Sequence, residues 1–265
     1  MKIASFNIQK FGKNKISDPK NLETIIKIIC RYDIVVILEV VDTKGKAVDA
    51  FLKKLNSVRP YKMQISPRLG RGTYKEQYMI LYSEDEVKLV DTYQYEDNQD
   101  GDEDAFAREP YILRFQCLTC PAVKDMVLIP VHTKPEDSEK ELDELFDVCE
   151  VVKKKWKTDN IMMLGDFNAD GAYVSKKDMK QIRIRTDPNF YWLIADDVDT
   201  TVKQSNDNTY DRIVVYGKTM LSAVVPESPR AFNFQKEYEL TEEEALKISD
   251  HYPVELELKR KKNPR

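Results

Sequence analysis

Histidine and cysteine are scarce in this sequence, with two and four in 265 residues. Four cysteines (Cys30, Cys117, Cys120 and Cys149) are too few for a small disulfide-stapled scaffold. Cys117-x-x-Cys120 has the spacing of half a zinc site, but no second pair follows, so a surface loop with an optional disulfide is the favoured reading. No apolar run approaches the roughly 18 residues of a membrane span, so no membrane association is expected. Excess positive charge is also missing: 42 Lys and Arg against 46 Asp and Glu give −4. Any contact with nucleic acid must therefore rest on a local basic surface and on metal ions. The opening MKIASFNIQKFG alternates like a strand and lacks an apolar signal core. That favours an intracellular protein, in cytosol or nucleus; the alternative is a secreted one whose leader was removed before residue 1.

What is present is an ordinary soluble composition, 42% hydrophobic and 33% charged, able to bury a sizeable core. Without repeats or a Gly/Ser linker, one domain over 1–258 is expected, followed by the short basic tail 259–265 (KRKKNPR). β-branched content and run length predict strands at 2–8, 34–40, 78–82, 126–131, 161–165, 212–217 and 253–258. Asp18-Pro19 starts a helix with Leu22, Ile25, Ile26 and Ile29 on one face. A second helix covers 46–56. A third opens at a capping box, Ser138-x-x-Glu141, and stripes Leu142, Leu145, Cys149, Val152 and Trp156. Thr241-x-x-Glu244 is a further capping box. The segment 96–104 (EDNQDGDED) is an acidic loop.

Unusual polar residues collect where these strands end. Asn7, Glu39, His132 and Asp166 lie at C-terminal ends; Glu76, Asp211 and His251 lie just before N-terminal ends. If all seven share one rim, four strands run toward it and three away, which needs a mixed sheet or two packed sheets. Both histidines sit in short strand-end contexts, PVHTKP and SDHYPV. Imidazole can change protonation near neutral pH, so such a pair can supply an acid and a base.

Together, SFNIQKFG, LEVVD, TYKEQY, REPY, VHTKPE, GDFNADGAYV, YDRIVV and SDHYPV resemble the deoxyribonuclease I family of the endonuclease/exonuclease/phosphatase superfamily. RTDPNFYWLIADDVDTT is similar to the deoxyribonuclease I branch in particular, and TEEEAL to its gamma-type members. The resemblance implies an α/β fold, a four-layer sandwich of two packed mixed sheets flanked by helices. It implies a metal-dependent endonuclease of double-stranded DNA, weakly sequence-selective and leaving 5′-phosphate ends. Glu39 would carry Mg²⁺ or Mn²⁺, with Asn7, Asp166, Asn168 and Asp250 lining metal and scissile phosphate. His132 would pair with Glu76, and His251 with Asp211. Tyr74 and Arg108 would lie against DNA, with Arg68, Arg71 and Lys75 forming a basic strip around Tyr74. Structural Ca²⁺ would sit at Asp199 and Thr201, and near Asp97, Asp104, Phe106 and Glu109. A monomer is expected, and actin or other protein partners are left open.

The sequence also departs from that branch. A family disulfide falls at Asp170-Gly171 and Asn208-Thr209, where no cysteine stands, and Val41 replaces a residue that is often basic. The chemistry implied is attack of water on phosphorus, with one imidazole taking its proton and the other protonating the leaving 3′-oxygen. His251 is assigned as base and His132 as acid, though the swapped roles stay open. Rival readings are a lipid-headgroup phosphodiesterase of the same superfamily and an inactive DNA-binding relative.

Overall fold

The structure, a computed structural model, describes residues 1–98 and 104–261. Residues 99–103 of the acidic loop and 262–265 of the basic tail lie outside the described residues. Among the described residues, two mixed six-stranded sheets pack face to face. The first holds β1 (Lys2–Phe11), β2 (Ile34–Val40), β3 (Lys62–Ile65), β4 (Gln77–Tyr82), β11 (Arg230–Ala231) and β12 (Val254–Glu257), in the order β11-β12-β1-β2-β4-β3. The second holds β5 (Val87–Gln94), β6 (Tyr111–Cys117), β7 (Asp125–His132), β8 (Ile161–Asp166), β9 (Phe190–Trp192) and β10 (Asp211–Tyr216), in the order β5-β6-β7-β8-β10-β9. The helices are α1 (Lys13–Ser17), α2 (Pro19–Ile29), α3 (Lys46–Asn56), α4 (Ser138–Trp156), α5 (Arg183–Thr186), α6 (Gly217–Ala223), α7 (Phe234–Glu237) and α8 (Glu242–Ile248).

Alternation within the strands builds the layers. Ile34, Val36 and Leu38 of β2 face the inter-sheet core with Leu128, Leu164 and Ile213. Val35 and Ile37 face the opposite way, onto α2 and α3. The other sheet buries Val127, Ile129 and Met163 under Leu142, Leu145, Val148 and Val152 of α4. Strands buried on both faces read as continuous apolar runs, which is why run length found them. β1 and β2 run parallel, as do β7 and β8, while β4, β10 and β12 run antiparallel to their neighbours. Four strands therefore point at one rim and three leave it.

Local signals fare unevenly. The Asp18 carboxylate caps α2, accepting from Lys20 N at 2.8 Å, and the Thr241–Glu244 capping box forms on α8. The expected Ser138–Glu141 box does not form. A 3₁₀ turn over Pro135–Asp137 puts Asp137 at the cap, so Ser138 is already helical and its Oγ bonds Lys134 O and Thr133 Oγ1. Glu141 is turned to the backbone N–H groups of Ala107 and Lys134. Cys117 and Cys120 are not in a surface loop. Both are free and buried, with Cys117 at the end of β6 against the Met1 sulfur, and among the described residues no metal-binding group includes them. Part of the basic tail is docked: Arg260 pairs with Asp33 and Glu86, and Lys261 N donates to Thr119 O. Among the described residues, no helix is long and apolar enough to cross a membrane.

Candidate active site

The centre of the rim is Asp166, the last residue of β8. In register, His132 of β7 stands on one side of it and Asp211 of β10 on the other. Gly165 makes this possible: at φ 152° its Cβ would fall on the Val131 carbonyl, so any other residue would push β7 and β8 apart. From the facing sheet, β1 brings Asn7, β2 brings Glu39, and the loop before β12 brings Asp250 and His251. Asn7 is not at the strand end, since β1 continues to Phe11 through an irregular stretch with Gln9 and Lys10 at positive φ. Glu39 also has positive φ, 59°, a local strain of the kind that collects at functional sites.

Two imidazole–carboxylate pairs face each other across Asp166. His132 Nδ1 lies 2.7 Å from Glu76 Oε2, and His251 Nδ1 lies 2.7 Å from Asp211 Oδ2. The Nε2 atoms of both rings point at Asp166 Oδ2, at 3.8 and 3.6 Å. His132 Nε2 is also 3.9 Å from Glu39 Oε1, and His251 Nε2 is 3.8 Å from Asp250 Oδ1. Burial and Arg108 push His132 toward neutrality, but Glu76 outweighs them and raises its pKa. Glu76 resists its own burial and falls to about 2 because His132 and Arg108 favour its charge. His251 is raised well above the usual imidazole value, Asp211 and Asp166 together overcoming burial. Burial raises Asp211, and the pull of His251 opposes that rise.

The two amides differ: Asn7 is a spacer between carboxylates, and Asn168 is a tie between loops. Asn7 Nδ2 donates to Glu39 Oε1 at 2.9 Å and Asp166 Oδ2 at 3.1 Å, while its Oδ1 accepts from Gln9 N. Asn168 donates to the Thr133 carbonyl at 3.0 Å and its N–H meets Asp166 Oδ1, which ties the loops after β7 and β8 together. Both residues thus hold the carboxylate-bearing loops through bonds within the protein. Asp166, Asp211 and His251 offer ligand atoms close enough to hold a metal ion. His251 Nδ1 and Asp211 Oδ2 are taken up with each other at 2.7 Å, which leaves His251 Nε2 and Asp211 Oδ1, buried without a hydrogen-bond partner, as the atoms a cation would meet there. Glu39 and Asp250 lie outside that group but add carboxylates, the donors a hard cation prefers, and the buried Asp250 Oδ1 likewise has no hydrogen-bond partner.

The outer residues divide. Tyr74 has an exposed ring beside Glu76, its phenol pKa raised by partial burial and by the Glu76 and Glu39 charges. Arg108 is not a surface group: it donates to the carbonyls of His132 and Thr133 and lies 3.5 Å from Glu76. Arg71 is tied to Asp104 and Asp137, and Lys75 to Gly70 O, so two members of the expected basic strip are turned onto the protein. Asp199 Oδ1 accepts from Thr201 N and Oγ1, and Asp97 Oδ2 accepts from Phe106 N. Among these bonds Glu109 contributes its carbonyl, to Gln94 Nε2, rather than its carboxylate.

Sequence reasoning passed over Gln9, whose Nε2 bonds Asp250 Oδ2, and Lys10, whose N–H bonds Glu39 Oε2. It also passed over Thr200, whose Oγ1 receives Asp211 N, and Tyr78, whose hydroxyl receives His132 N. Ser249, in SDHYPV, was passed over too; its Oγ accepts from His251 N. All five lie inside motifs that carried the resemblance, but none is a carboxylate or imidazole at a strand end.

Residues 4–251 match the model of the Endonuclease/Exonuclease/phosphatase family. The chain belongs to that family. Deoxyribonuclease gamma of Homo sapiens is 51% identical over 262 residues, covering 97% of this chain and 86% of the relative. Deoxyribonuclease-1 of Oryctolagus cuniculus is 44% identical, covering 97% and 92%. Membership therefore extends to the deoxyribonuclease I group that the motifs suggested. A solved endonuclease/exonuclease/phosphatase from Bacteroides vulgatus superposes with a TM-score of 0.62 at 18% identity, covering 97% of this chain and 98% of that one, and shares the fold.

Proposed function

We propose that the chain is an endodeoxyribonuclease that hydrolyses internal phosphodiester bonds of double-stranded DNA with a divalent cation, Mg²⁺ or Mn²⁺. One observation carries this reading: both imidazole Nε2 atoms face a single carboxylate oxygen of Asp166, at 3.8 and 3.6 Å. A scissile phosphate seated there has a proton acceptor on one side and a proton donor on the other. Glu39, with Asp166 and Asp250, would hold the cation, whose chemistry is to neutralise charge on the non-bridging oxygens. Asn7 keeps Glu39 and Asp166 apart, and Asn168 ties the Asp166 loop to Thr133, neither adding negative charge beside the phosphate.

Among the chain's own groups, His251 is assigned the attacking water's proton and His132 the leaving 3′-oxygen. Glu76 and Asp211 fix the ring tautomers through Nδ1, leaving Nε2 for the substrate, and stabilise each ring when protonated. His251 accepts a proton only when neutral. Asp166 and Asp250, two of the groups that raise it, are also carboxylates that would hold the cation, whose charge would oppose theirs. Tyr74, exposed beside Glu76, is the aromatic group placed to lie against the DNA backbone. Asp199 and Thr201, on a cleft of about 670 Å³, are the better calcium seat. The Asp97–Phe106 turn is the weaker one, because Asp104 is already engaged by Arg71. The four free thiols fit the reducing interior of a cell.

Plasmid nicking with Mg²⁺, with and without EDTA, followed by end-group analysis, tests the reaction. Metal-dependent nicks bearing 5′-phosphate and 3′-hydroxyl are expected, and hydrolysis of a phosphoinositide headgroup in place of DNA would overturn the proposal. A linkage with sulfur at the 3′-bridging position tests the assignment of roles, since a thiolate leaves without an acid. It should rescue His132→Ala and leave His251→Ala inactive.

A further inference from the structure

Lys15 touches neither imidazole, yet its position links the two halves of the site. Its Nζ donates to the carbonyls of Ile248, at 2.9 Å, and Lys247, at 3.3 Å. These are the last carbonyls of α8, which no helical N–H can reach, and an ammonium there also meets the negative end of the helix dipole. The next residue is Ser249, whose Oγ donates to Asn7 O at 2.5 Å and accepts from His251 N at 3.0 Å. Asp250 is held by Gln9. The loop that delivers His251 is thus fastened at Ile248, Ser249 and Asp250, each time to a group in residues 7–15.

That same segment fastens the metal carboxylate. Lys10 N–H bonds Glu39 Oε2, and Gln9 and Lys10 both lie at positive φ, a conformation that needs outside support. The support is not intrinsic to α1: it has five residues, none buried, and no side-chain cap. An exposed lysine would leave its ammonium in water. Here burial lowers the Lys15 pKa against the upward pull of Asp250 and Glu39, so the amine has given up solvent for the two carbonyls.

We propose that Lys15 is a positioning residue, clamping the His251 loop to the β1–α1 segment and so fixing the imidazole relative to Glu39 and Asp166. The proposal rests on the reading of His251 as a catalytic imidazole. A clamp acts on the geometry of reaction, so its loss lowers kcat. A lysine that merely attracts DNA raises KM and loses its effect as salt screens it. Lys13 provides the comparison, being an exposed lysine on the same helix.

The experiment compares Lys15→Met, Lys15→Arg and Lys13→Met in plasmid nicking across a salt series, with amide hydrogen exchange of residues 249–252 on the same proteins. Lys15→Met should lose about tenfold or more in kcat, within the ~10²-fold that a 1 Å misplacement can cost. Its KM should match that of Lys13→Met, and the His251 amide should lose protection. Lys15→Arg, which keeps donors for both carbonyls, should restore kcat and protection. A Lys15→Met defect confined to KM and abolished by salt would overturn the proposal, as would unchanged protection at residues 249–252. A wild-type protein that nicks no DNA would defeat the nuclease reading instead, and the exchange measurement would still decide whether Lys15 clamps the loop.

Discussion

Asp166 Oδ2 stands 3.8 Å from His132 Nε2 and 3.6 Å from His251 Nε2, so one oxygen faces both rings from the end of a single strand. Rings arranged about one centre act as a unit. His132→Ala and His251→Ala should each lower the nicking rate by ~10²–10⁴-fold. The double variant should fall little further, as groups that work together are far from additive. Thermal melts within a few degrees of wild type would confirm that the loss is chemical. Near-normal nicking by either folded single variant would remove that histidine from the reaction.

Asn7 bears on the metal. Its amide nitrogen separates Glu39 from Asp166 and its oxygen is taken by Gln9 N, so it orients ligands and is spent on the protein. Asn7→Ala leaves two carboxylates without their common donor. Loss of such an orienting partner costs ~10–100-fold in metal affinity. A Mg²⁺ titration of nicking should show the half-saturating concentration rising by about that factor, with rate recovered at high Mg²⁺. An unchanged titration would mean that Asn7 is irrelevant to metal binding.

Arg108 separates a packing role from a DNA contact. Its guanidinium is buried on two carbonyls and the Glu76 carboxylate. Arg108→Met should destabilise the fold by about 3–5 kcal/mol, the range for breaking a buried charge pair by removing one partner. Urea denaturation measures this directly. A variant of wild-type stability with weakened DNA binding would instead support the surface contact that the motif alone implied.

These cases mark where the sequence was legible. Apolar runs announced β2, β4, β7, β8 and β10, because strands covered on both faces have no polar side to interrupt them, while β1 and β12 showed as alternating segments. β5, at a sheet edge, is mixed in sequence with only Val87 buried, and it gave no run to find. β6 carries Arg114 in mid-strand, a residue that is neutralised by Asp125 of neighbouring β7 and cannot be anticipated without knowing the pairing. The imidazoles and their carboxylates were legible because each chemical type is rare or ends a strand. The groups that hold them were not. Lys10 acts through its backbone N–H at positive φ, and the side chains of Gln9 and Lys15 find partners more than 200 residues away, so residue type alone does not mark any of the three. Ser138-x-x-Glu141 failed as a capping box for a related reason: its glutamate was claimed by Ala107, 34 residues away.

That buried glutamate sets a pH dependence of stability. Burial lifts Glu141 from the ordinary 4.5 to about 7, the two backbone donors only partly opposing it. The folded state then binds a proton that the unfolded chain has lost, so stability falls as pH rises from 4.5 toward 7 and levels off above. The upper limit is about 3 kcal/mol, at 1.36 kcal/mol per unit. Glu141→Gln keeps the acceptor oxygen and cannot ionise. Urea melts at pH 5 and pH 8 should show a smaller loss of stability for this variant than for wild type; equal losses would mean that Glu141 is charged at no cost.

The motif resemblance implies a disulfide between two loops that this chain, without those cysteines, still brings into contact. A Cβ on Gly171 would lie 2.9 Å from Asn208 Oδ1 and 3.8 Å from its Cγ, and the same two loops are bridged by the Asp170 carboxylate on Thr209 N. Gly171→Cys with Asn208→Cys should therefore close a loop of roughly 37 residues, for which chain entropy gives about 3–4 kcal/mol. Gly171 sits at φ +61°, and a side chain in that conformation costs roughly 1–2 kcal/mol, so the net gain is smaller. Oxidised protein should melt several degrees above the same protein in reductant and show the mass loss of two hydrogens. If the bond forms with no rise in melting temperature, strain at position 171 cancels the gain. If no bond forms, the loops are farther apart in solution than the Gly171–Asn208 contact places them.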